Sequence, residues 1–320
     1  YSGIIIRNIQ VAPSPEWLRK RIEAMGLKPI NNVVDVTNYV LFSTAQPIHA
    51  FDLAKVGGKK ILIRKAKNSE ILRSLEDIDI NLSPEMLVIA DEEKPIALAG
   101  IIGGKGSAVD EGTRDVFIES AYFDPISIRK TSKKTGISTD ASYRFEREAD
   151  ISFPPRAAHI AASLLTQLGG VATKGIIDVY PHPRKNRTVV LRQSRIVELL
   201  GMEVDEEFTL QTLSSLEFQV EAQQKGVWQV RVPHFRVDIE READLIEEIA
   251  RFYGYDRIPS HFPPLKVLEP PLDPKRKRIS KLRQLLFNHG FDEALNLTFS
   301  EPEKEAVFQS GRRPIEIKNP

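Results

Sequence analysis

Residues 35–52 read DVTNYVLFSTAQPIHAFD, and the run into them is apolar and β-branched, with Val33, Val34 and Val36. Such a run, broken by Thr37-Asn38, predicts a buried strand entering a polar turn. Nine residues after Thr37, Gln46-Pro47-Ile48-His49 sets a histidine beside a proline, whose ring fixes the local backbone. Phe51 follows, and Asp52 can orient an imidazole or cap the next element. Two polar clusters on either side of an apolar spacer suit two walls of a pocket. On local chemistry alone, a strand, a loop and a core histidine with satisfied hydrogen bonds is the stronger of the two readings.

At 320 residues the chain predicts two or three domains, each large enough for its own core. Hydrophobic residues at 41% and charged residues at 28% place it with globular proteins rather than disordered chains. A net charge of +1 gives no global field toward nucleic acid or membrane, so any such contact is local. Without cysteine, disulfides, thiolate zinc sites and cysteine nucleophiles are excluded, and a reducing cytoplasm fits. No apolar run reaches membrane-spanning length and no signal peptide is visible, so no membrane partner is expected. The chain opens on Tyr1 rather than methionine and ends on Asn319-Pro320, which suggests a piece of a longer protein.

Outward from the opening stretch, residues 4–12 predict a strand. Ser14-Pro15 predicts the start of a helix, as cap and first residue, with an apolar face of Trp17, Leu18, Ile22 and Met25 closed by Gly26. Strands are expected at 61–64 and 87–90, with turns at Gly57-Gly58 and Asp91-Glu92-Glu93. Ile96–Gly104 is an apolar run ending in paired glycines, where backbone can approach a ligand closely, although the spacing matches no nucleotide-binding fingerprint. Val116-Phe-Ile-Glu119-Ser-Ala reads as a strand with one carboxylate among apolar residues; such an acid is solvated at an edge, or buried with a specific partner.

Asp124-Pro125 caps a helix ending at Gly136, followed by a predicted loop, Gly136-Ile-Ser-Thr-Asp-Ala-Ser-Tyr-Arg-Phe-Glu-Arg147. Residues 129–147 carry six basic residues against Asp140 and Glu146. That excess fits a helix C-terminus complementing its dipole, or a docking patch for phosphates. A further helix is expected at 156–168. Beyond a linker at 181–187, strand 188–192, helices 194–200, 206–216 and 243–253, and a hairpin turning near Lys225-Gly226 suggest a winged-helix-like module. It holds eleven Lys and Arg against fourteen Asp and Glu over 184–260, which disfavours a DNA-binding regulator, so no DNA partner is expected. A proline-rich linker, 263–271, then leads to a basic helix at 275–289 and a strand at 294–299.

DVTNYV, QPIHAFD, Gly103-Gly104, FIESA, STDASYRFER and VPHFRVDIEREADLIEEIARFYGYDRIP stand here in one order. Together they closely resemble the bacterial phenylalanine–tRNA ligase β-subunit family over most of the chain. The resemblance implies an α+β multidomain fragment: an α/β editing module at 1–183, a winged-helix-like α+β module at 184–262, and a linker with the start of a class II synthetase-like module at 263–320. It implies a cytoplasmic ligase subunit that acts with an α subunit, in an α2β2 tetramer, on tRNA(Phe). Aminoacylation in this family takes place on α, so the fragment implied here contributes hydrolytic editing of Tyr-tRNA(Phe). An editing-inactive structural and tRNA-docking subunit is the alternative.

By resemblance, Glu119 accepts the phenolic hydrogen of tyrosine. His49 and Thr139 hold the ester and its attacking water, Gly103 and Ala141 leave room for the ring, and Lys28, Thr37 and Asn38 complete the substrate site. At the Lys28 position the family often carries arginine. No nucleophile–base pair is visible, which favours a positioned water over a covalent intermediate. A second set, Asp238, Asp244, Glu247 and Glu248, matches the family's Mg²⁺-binding residues, the last three at helical spacing on one face. Acids in a first helical turn also complement the helix dipole without any metal.

Overall fold

A computed structural model describes residues 1–260 and 273–296, with single positions beyond 300. It contains two compact units, Tyr1–Pro259 and Ser260–Pro320. The first opens with β1 (Ser2–Arg7), shorter than the predicted 4–12 because Asn8 turns the chain at φ 55°. Helix α1 (Glu16–Ala24) buries Leu18 and Ile22, and Gly26 follows it at φ 80°. Ser14 does not cap this helix. Pro15 occupies the cap position, and the Ser14 hydroxyl donates instead to Asp35 Oδ2 at 2.5 Å.

The largest departure from expectation is the opening stretch itself. Residues 32–44 are not strand and turn but a helix, α2 (Asn32–Thr44). The Asn31 side chain starts it by accepting the backbone N–H groups of Val33 and Val34 at 3.1 and 2.9 Å. Val33, Val36, Thr37, Val40 and Leu41 are buried, a helical period that the β-branched composition masks. Ala45 ends the helix at φ 59° and the chain enters β2 (Ile48–Asp52).

Short strands follow: β3 (Leu62–Lys65), β4 (Ile71–Arg73), β5 (Asp79–Asn81), β6 (Leu87–Ala90), β7 (Pro95–Leu98), β8 (Ile102–Gly103) and β9 (Val116–Ser120). Helix α3 (Pro125–Thr135) begins where Asp124 Oδ1 accepts Ser127 N–H at 2.8 Å and ends at Gly136, φ 71°. The predicted loop at 136–147 contains a short helix, α4 (Asp140–Phe145). Thr139 starts it through a reciprocal cap: its Oγ1 accepts Ser142 N–H at 3.1 Å, and Ser142 Oγ accepts Thr139 N–H at 2.8 Å. Helix α5 (Pro154–Gln167), β10 (Val171–Ala172) and β11 (Ile177–Asp178) follow.

The sheet that positions the site is antiparallel in the order β10-β1-β9-β2, with β11 also on β1. Its two faces serve two cores. Ile4, Ile6, Ala50, Val116 and Ile118 pack with residues of α1, α2 and α5, among them Leu18, Val36 and Leu165. Phe51 and Phe117 pack on the other side with Val88 and Leu98 of the antiparallel sheet β3-β6-β7-β8. Alternation along a strand therefore turns His49, in step with Phe51, and Glu119, in step with Phe117, toward the second sheet.

Further along the same unit lie β12 (Thr188–Arg192), α6 (Gln193–Leu200), α7 (Glu206–Ser215), β13 (Gln219–Gln224), β14 (Val227–Arg231) and α8 (Glu242–Tyr253). The strands pair as β12-β14-β13, and Leu191, Ile196, Leu213, Trp228 and Ile249 share one core. The predicted boundaries of β12, α6, α7 and α8 agree within a residue. In the second unit, α9 (Pro274–Asn288) starts where Asp273 Oδ1 accepts Lys275 N–H at 2.9 Å. The predicted linker at 263–271 and residues 297–299 of the predicted last strand lie outside the described residues; 294–296 form no strand. Among the described residues no helix is long and apolar enough to cross a membrane.

Candidate functional site

The β2–β9 register sets His49 directly opposite Glu119. Gln46 ties the entry of β2 to the chain beyond β9, its Nε2 donating to the Ala121 and Pro47 carbonyls at 2.8 and 3.2 Å. The two side chains line an open pocket of about 80 Å³ together with Gly103, Ala141 and an apolar wall that includes Ile101, Phe123 and Phe145. Phe123 and Phe145 meet edge to face at 5.1 Å between centroids. At Gly103 an added Cβ would stand 2.6 Å from His49 Cε1 and 2.8 Å from its Nε2, so only glycine lets β8 come this close to the imidazole. Thr139 secures the neighbouring turn, its Oγ1 donating to the Ile101 carbonyl at 2.7 Å.

Burial dominates the electrostatics. Glu119 is 5% exposed, and desolvation pushes its carboxyl up to about 8, with the nearby Tyr1 hydroxyl pulling the other way. Tyr1 Oη is enclosed beside it without hydrogen-bond geometry. Burial lowers His49 to about 4, and its Nε2 is enclosed with no hydrogen-bond partner among the described residues. Near neutral pH both groups are mainly uncharged, so the pair is not an ion pair. An imidazole that takes a proton only near pH 4 is a poor general base at pH 7 and suits holding a water or an ester oxygen. The Thr139 hydroxyl is occupied by its backbone partners, so the pocket offers no activated nucleophile there.

His49, Gly103, Glu119 and Ala141 thus share one pocket, although the chain separates the first from the last by more than ninety residues. Lys28, Thr37 and Asn38 do not line it. Lys28 is exposed. Thr37 is buried within α2, its hydroxyl donating to the Val34 carbonyl at 2.7 Å, and Asn38 is the next residue of that helix. The strand-and-turn reading had set these two at a pocket wall, and helix formation removes them from it. Sequence reasoning missed Phe123 and Phe145, whose only advance signal was their place beside FIESA and within STDASYRFER.

The acidic set of Asp238 and α8 is arranged differently from a ligand cage. Arg236 donates to Asp238 from Nε at 2.9 Å and from Nη2 at 2.6 Å, and its Nη2 stands 3.0 Å from Glu248 Oε1. Arg251 takes Glu248 Oε2 at 2.6 Å. Asp244 Oδ2 accepts the backbone N–H groups of Glu240 and Arg241 at 2.8 and 2.7 Å, and Glu247 is exposed. The described residues hold no group of three or more potential ligands gathered for a metal. The four acids therefore do not fit a Mg²⁺ held by this chain alone, because arginine already neutralises two of them and a helix cap uses a third. Chelator treatment should leave the thermal unfolding midpoint of the chain within about a degree of its starting value. A fall of several degrees would reveal a resident ion, since a tightly bound ligand stabilises by mass action.

Residues 1–170 match the B3/4 domain family, 189–255 the tRNA synthetase B5 domain family, and 258–320 the phenylalanyl tRNA synthetase beta chain CLM domain family. The phenylalanine–tRNA ligase beta subunit of Carboxydothermus hydrogenoformans is 42% identical over 304 residues, 95% of this chain and 38% of that protein. The same subunit of Geobacter sulfurreducens is 41% identical over 94% of this chain, and that of Pseudomonas fluorescens 38% identical over 100% of this chain and 41% of that protein. The chain spans about two fifths of the length of these relatives. On these matches the chain belongs to the phenylalanine–tRNA ligase β-subunit family.

Proposed function

We propose that the pocket between β2, β9 and β8 is a hydrolytic editing site that removes tyrosine from mischarged tRNA(Phe). It would work within a ligase whose α subunit charges tRNA(Phe) with phenylalanine at the expense of ATP, the two subunits forming an α2β2 assembly. The observation that carries this reading is the His49–Glu119 pair at an otherwise apolar, ring-lined pocket. An apolar synthetic pocket built for phenylalanine rejects the added hydroxyl of tyrosine by only about a hundredfold. A site with a buried polar group works in the other direction, because phenylalanine would leave the Glu119 carboxyl unpaired, and rejection of roughly 10⁴ is attainable. The neutral Glu119 acid offers the phenol both an acceptor and a donor. His49 would hold the ester or its attacking water, with Thr139 fixing the turn beside it. Magnesium enters this reading only at a site on α8 completed by ligands from outside the chain.

Hydrolysis of preformed Tyr-tRNA(Phe) and Phe-tRNA(Phe), measured side by side on the full-length subunit assembled with α, tests the proposal. Fast release of tyrosine and slow release of phenylalanine is the expected pattern. Absence of hydrolysis leaves a structural and tRNA-docking subunit. The pocket is also smaller than the roughly 150 Å³ of an apolar cavity that admits benzene, so an aromatic occupant would have no space to spare. Gly103→Ala, which puts a methyl against His49, should therefore slow tyrosine release about tenfold, mostly through KM. Unchanged kinetics would show that the substrate ring does not pass Gly103.

A further inference from the structure

Arginine and aromatic side chains alternate along a path that ends at the pocket. The Arg21 guanidinium lies 5.5 Å from the Trp17 ring centroid and 5.3 Å from that of Tyr39, and the two rings meet edge to face at 5.9 Å. Arg21 also donates to the Tyr39 hydroxyl and makes no ion pair among the described residues, unlike its neighbours Arg19 and Lys20. Phe42 stands three residues after Tyr39 on α2 and hence on the same side of that helix. Over Phe42 lies Arg144 of α4, 4.7 Å from the ring centroid. Beside it, Arg147 covers Tyr143 at 3.6 Å. Helix α4 then supplies Ala141 and Phe145 to the pocket. Trp17 is 40% and Tyr143 53% exposed, so these rings keep a face or an edge in solvent. Cation–π pairs occur elsewhere in the chain, as with Arg251 over Phe252. What sets this series apart is its continuity and the place where it ends.

We propose that this track binds the unpaired 3′-terminal nucleotides of the RNA whose ester enters the pocket, a partner assignment that rests on the editing reading above. Bases stack on aromatic rings and on guanidinium planes regardless of sequence. Arg144 and Arg147 are already paired with Asp140 and Glu146 and offer their planes to bases, so Arg21 is the arginine of the track that meets a phosphate. A chain of net charge +1 has no field to hold a duplex by charge alone, so a short stacked strand is the occupant that fits. Only an unpaired end could reach a pocket of about 80 Å³.

The probe is an unesterified single-stranded RNA ending in CCA, with tryptophan fluorescence as the readout. The chain has two tryptophans, and Trp228 is 2% exposed in the core that lies between β12 and α8 in sequence, so quenching reports Trp17. Saturable quenching is expected from the single strand and not from the same sequence as a duplex. Phe42→Ala should weaken binding about tenfold, the loss of one stacked base. Arg21→Gln should weaken it several-fold and lower the salt slope by about 0.7, one phosphate. In the full-length enzyme, Arg21→Gln should raise KM for Tyr-tRNA(Phe) and leave kcat unchanged. Equal quenching by duplex, or no quenching with an unchanged KM, overturns the track even where hydrolysis is intact. A loss of α-subunit binding in Arg21→Gln, with RNA affinity unchanged, assigns the surface to protein and overturns it too. Quenching by a wild-type enzyme that does not hydrolyse the ester keeps the track and removes the pocket reading instead.

Discussion

Replacing Glu119 by alanine is expected to slow release of tyrosine from Tyr-tRNA(Phe) about tenfold to a hundredfold and to leave phenylalanine charging unchanged. The phenolic hydroxyl would lose its partner inside an apolar pocket, at a cost of roughly 1–3 kcal/mol. Each 1.4 kcal/mol is about one decade in rate or affinity. Glu119→Gln separates two versions of the contact. Burial holds the carboxyl up to about 8, so the group that would meet the phenol at neutral pH is a neutral acid, and an amide keeps its acceptor and a donor. The glutamine variant should thus stay within about threefold of wild type. A loss as deep as that of alanine would show that an ionised carboxylate makes the contact. A parallel loss of charging would point to misfolding rather than to recognition.

The sequence made several helix ends legible, and the reason is that they are local. Asp124 before Pro125, Gly136 after Thr135, and Asp205 before Glu206 bind backbone groups within a turn, so their chemistry is written in neighbouring letters. The same locality was misread at α2. Val33, Val34 and Val36 carry a strand-like composition, and the decisive signal was Asn31, two residues earlier, whose side chain closes the first turn. Thr139 hid α4 for a similar reason, since its partner Ser142 is a weaker cue than the glutamate usual in such a cap.

The candidate pocket was legible only in part. Strand parity puts Glu119 on the side of Phe117 and His49 on the side of Phe51, but parity does not say that β2 and β9 are neighbours. That pairing spans about seventy residues and arises from the packing of two cores on opposite faces of one sheet. The matching motifs brought these residues together before any geometry did. The α8 acids show the converse. Their helical spacing was read correctly, yet Arg236, which occupies Asp238 and Glu248, comes from a preceding loop whose fold no periodicity describes.

Burying two titratable groups in one pocket also has a consequence for the pH dependence of stability. Folded, Glu119 keeps its proton up to about pH 8; its ordinary value is 4.5. Between those values the folded chain binds more protons than the unfolded one, so stability falls as pH rises. Over the whole interval the loss is on the order of 5 kcal/mol, comparable with the full stability of a small domain. His49, drawn from 6.5 to about 4, acts in the opposite sense: below 6.5 the unfolded chain binds the extra proton, and stability falls as pH falls toward 4. The two slopes oppose each other between 4.5 and 6.5, and only that of Glu119 remains above 6.5. Urea unfolding of wild type and Glu119→Gln at pH 6.5 and 8.5 isolates that arm, because the amide does not titrate. The stability difference in favour of the variant should widen by about 2 kcal/mol between the two pH values. A difference that stays constant would mean that Glu119 ionises freely in the folded chain, and with it would go the neutral acid on which the tyrosine contact is built.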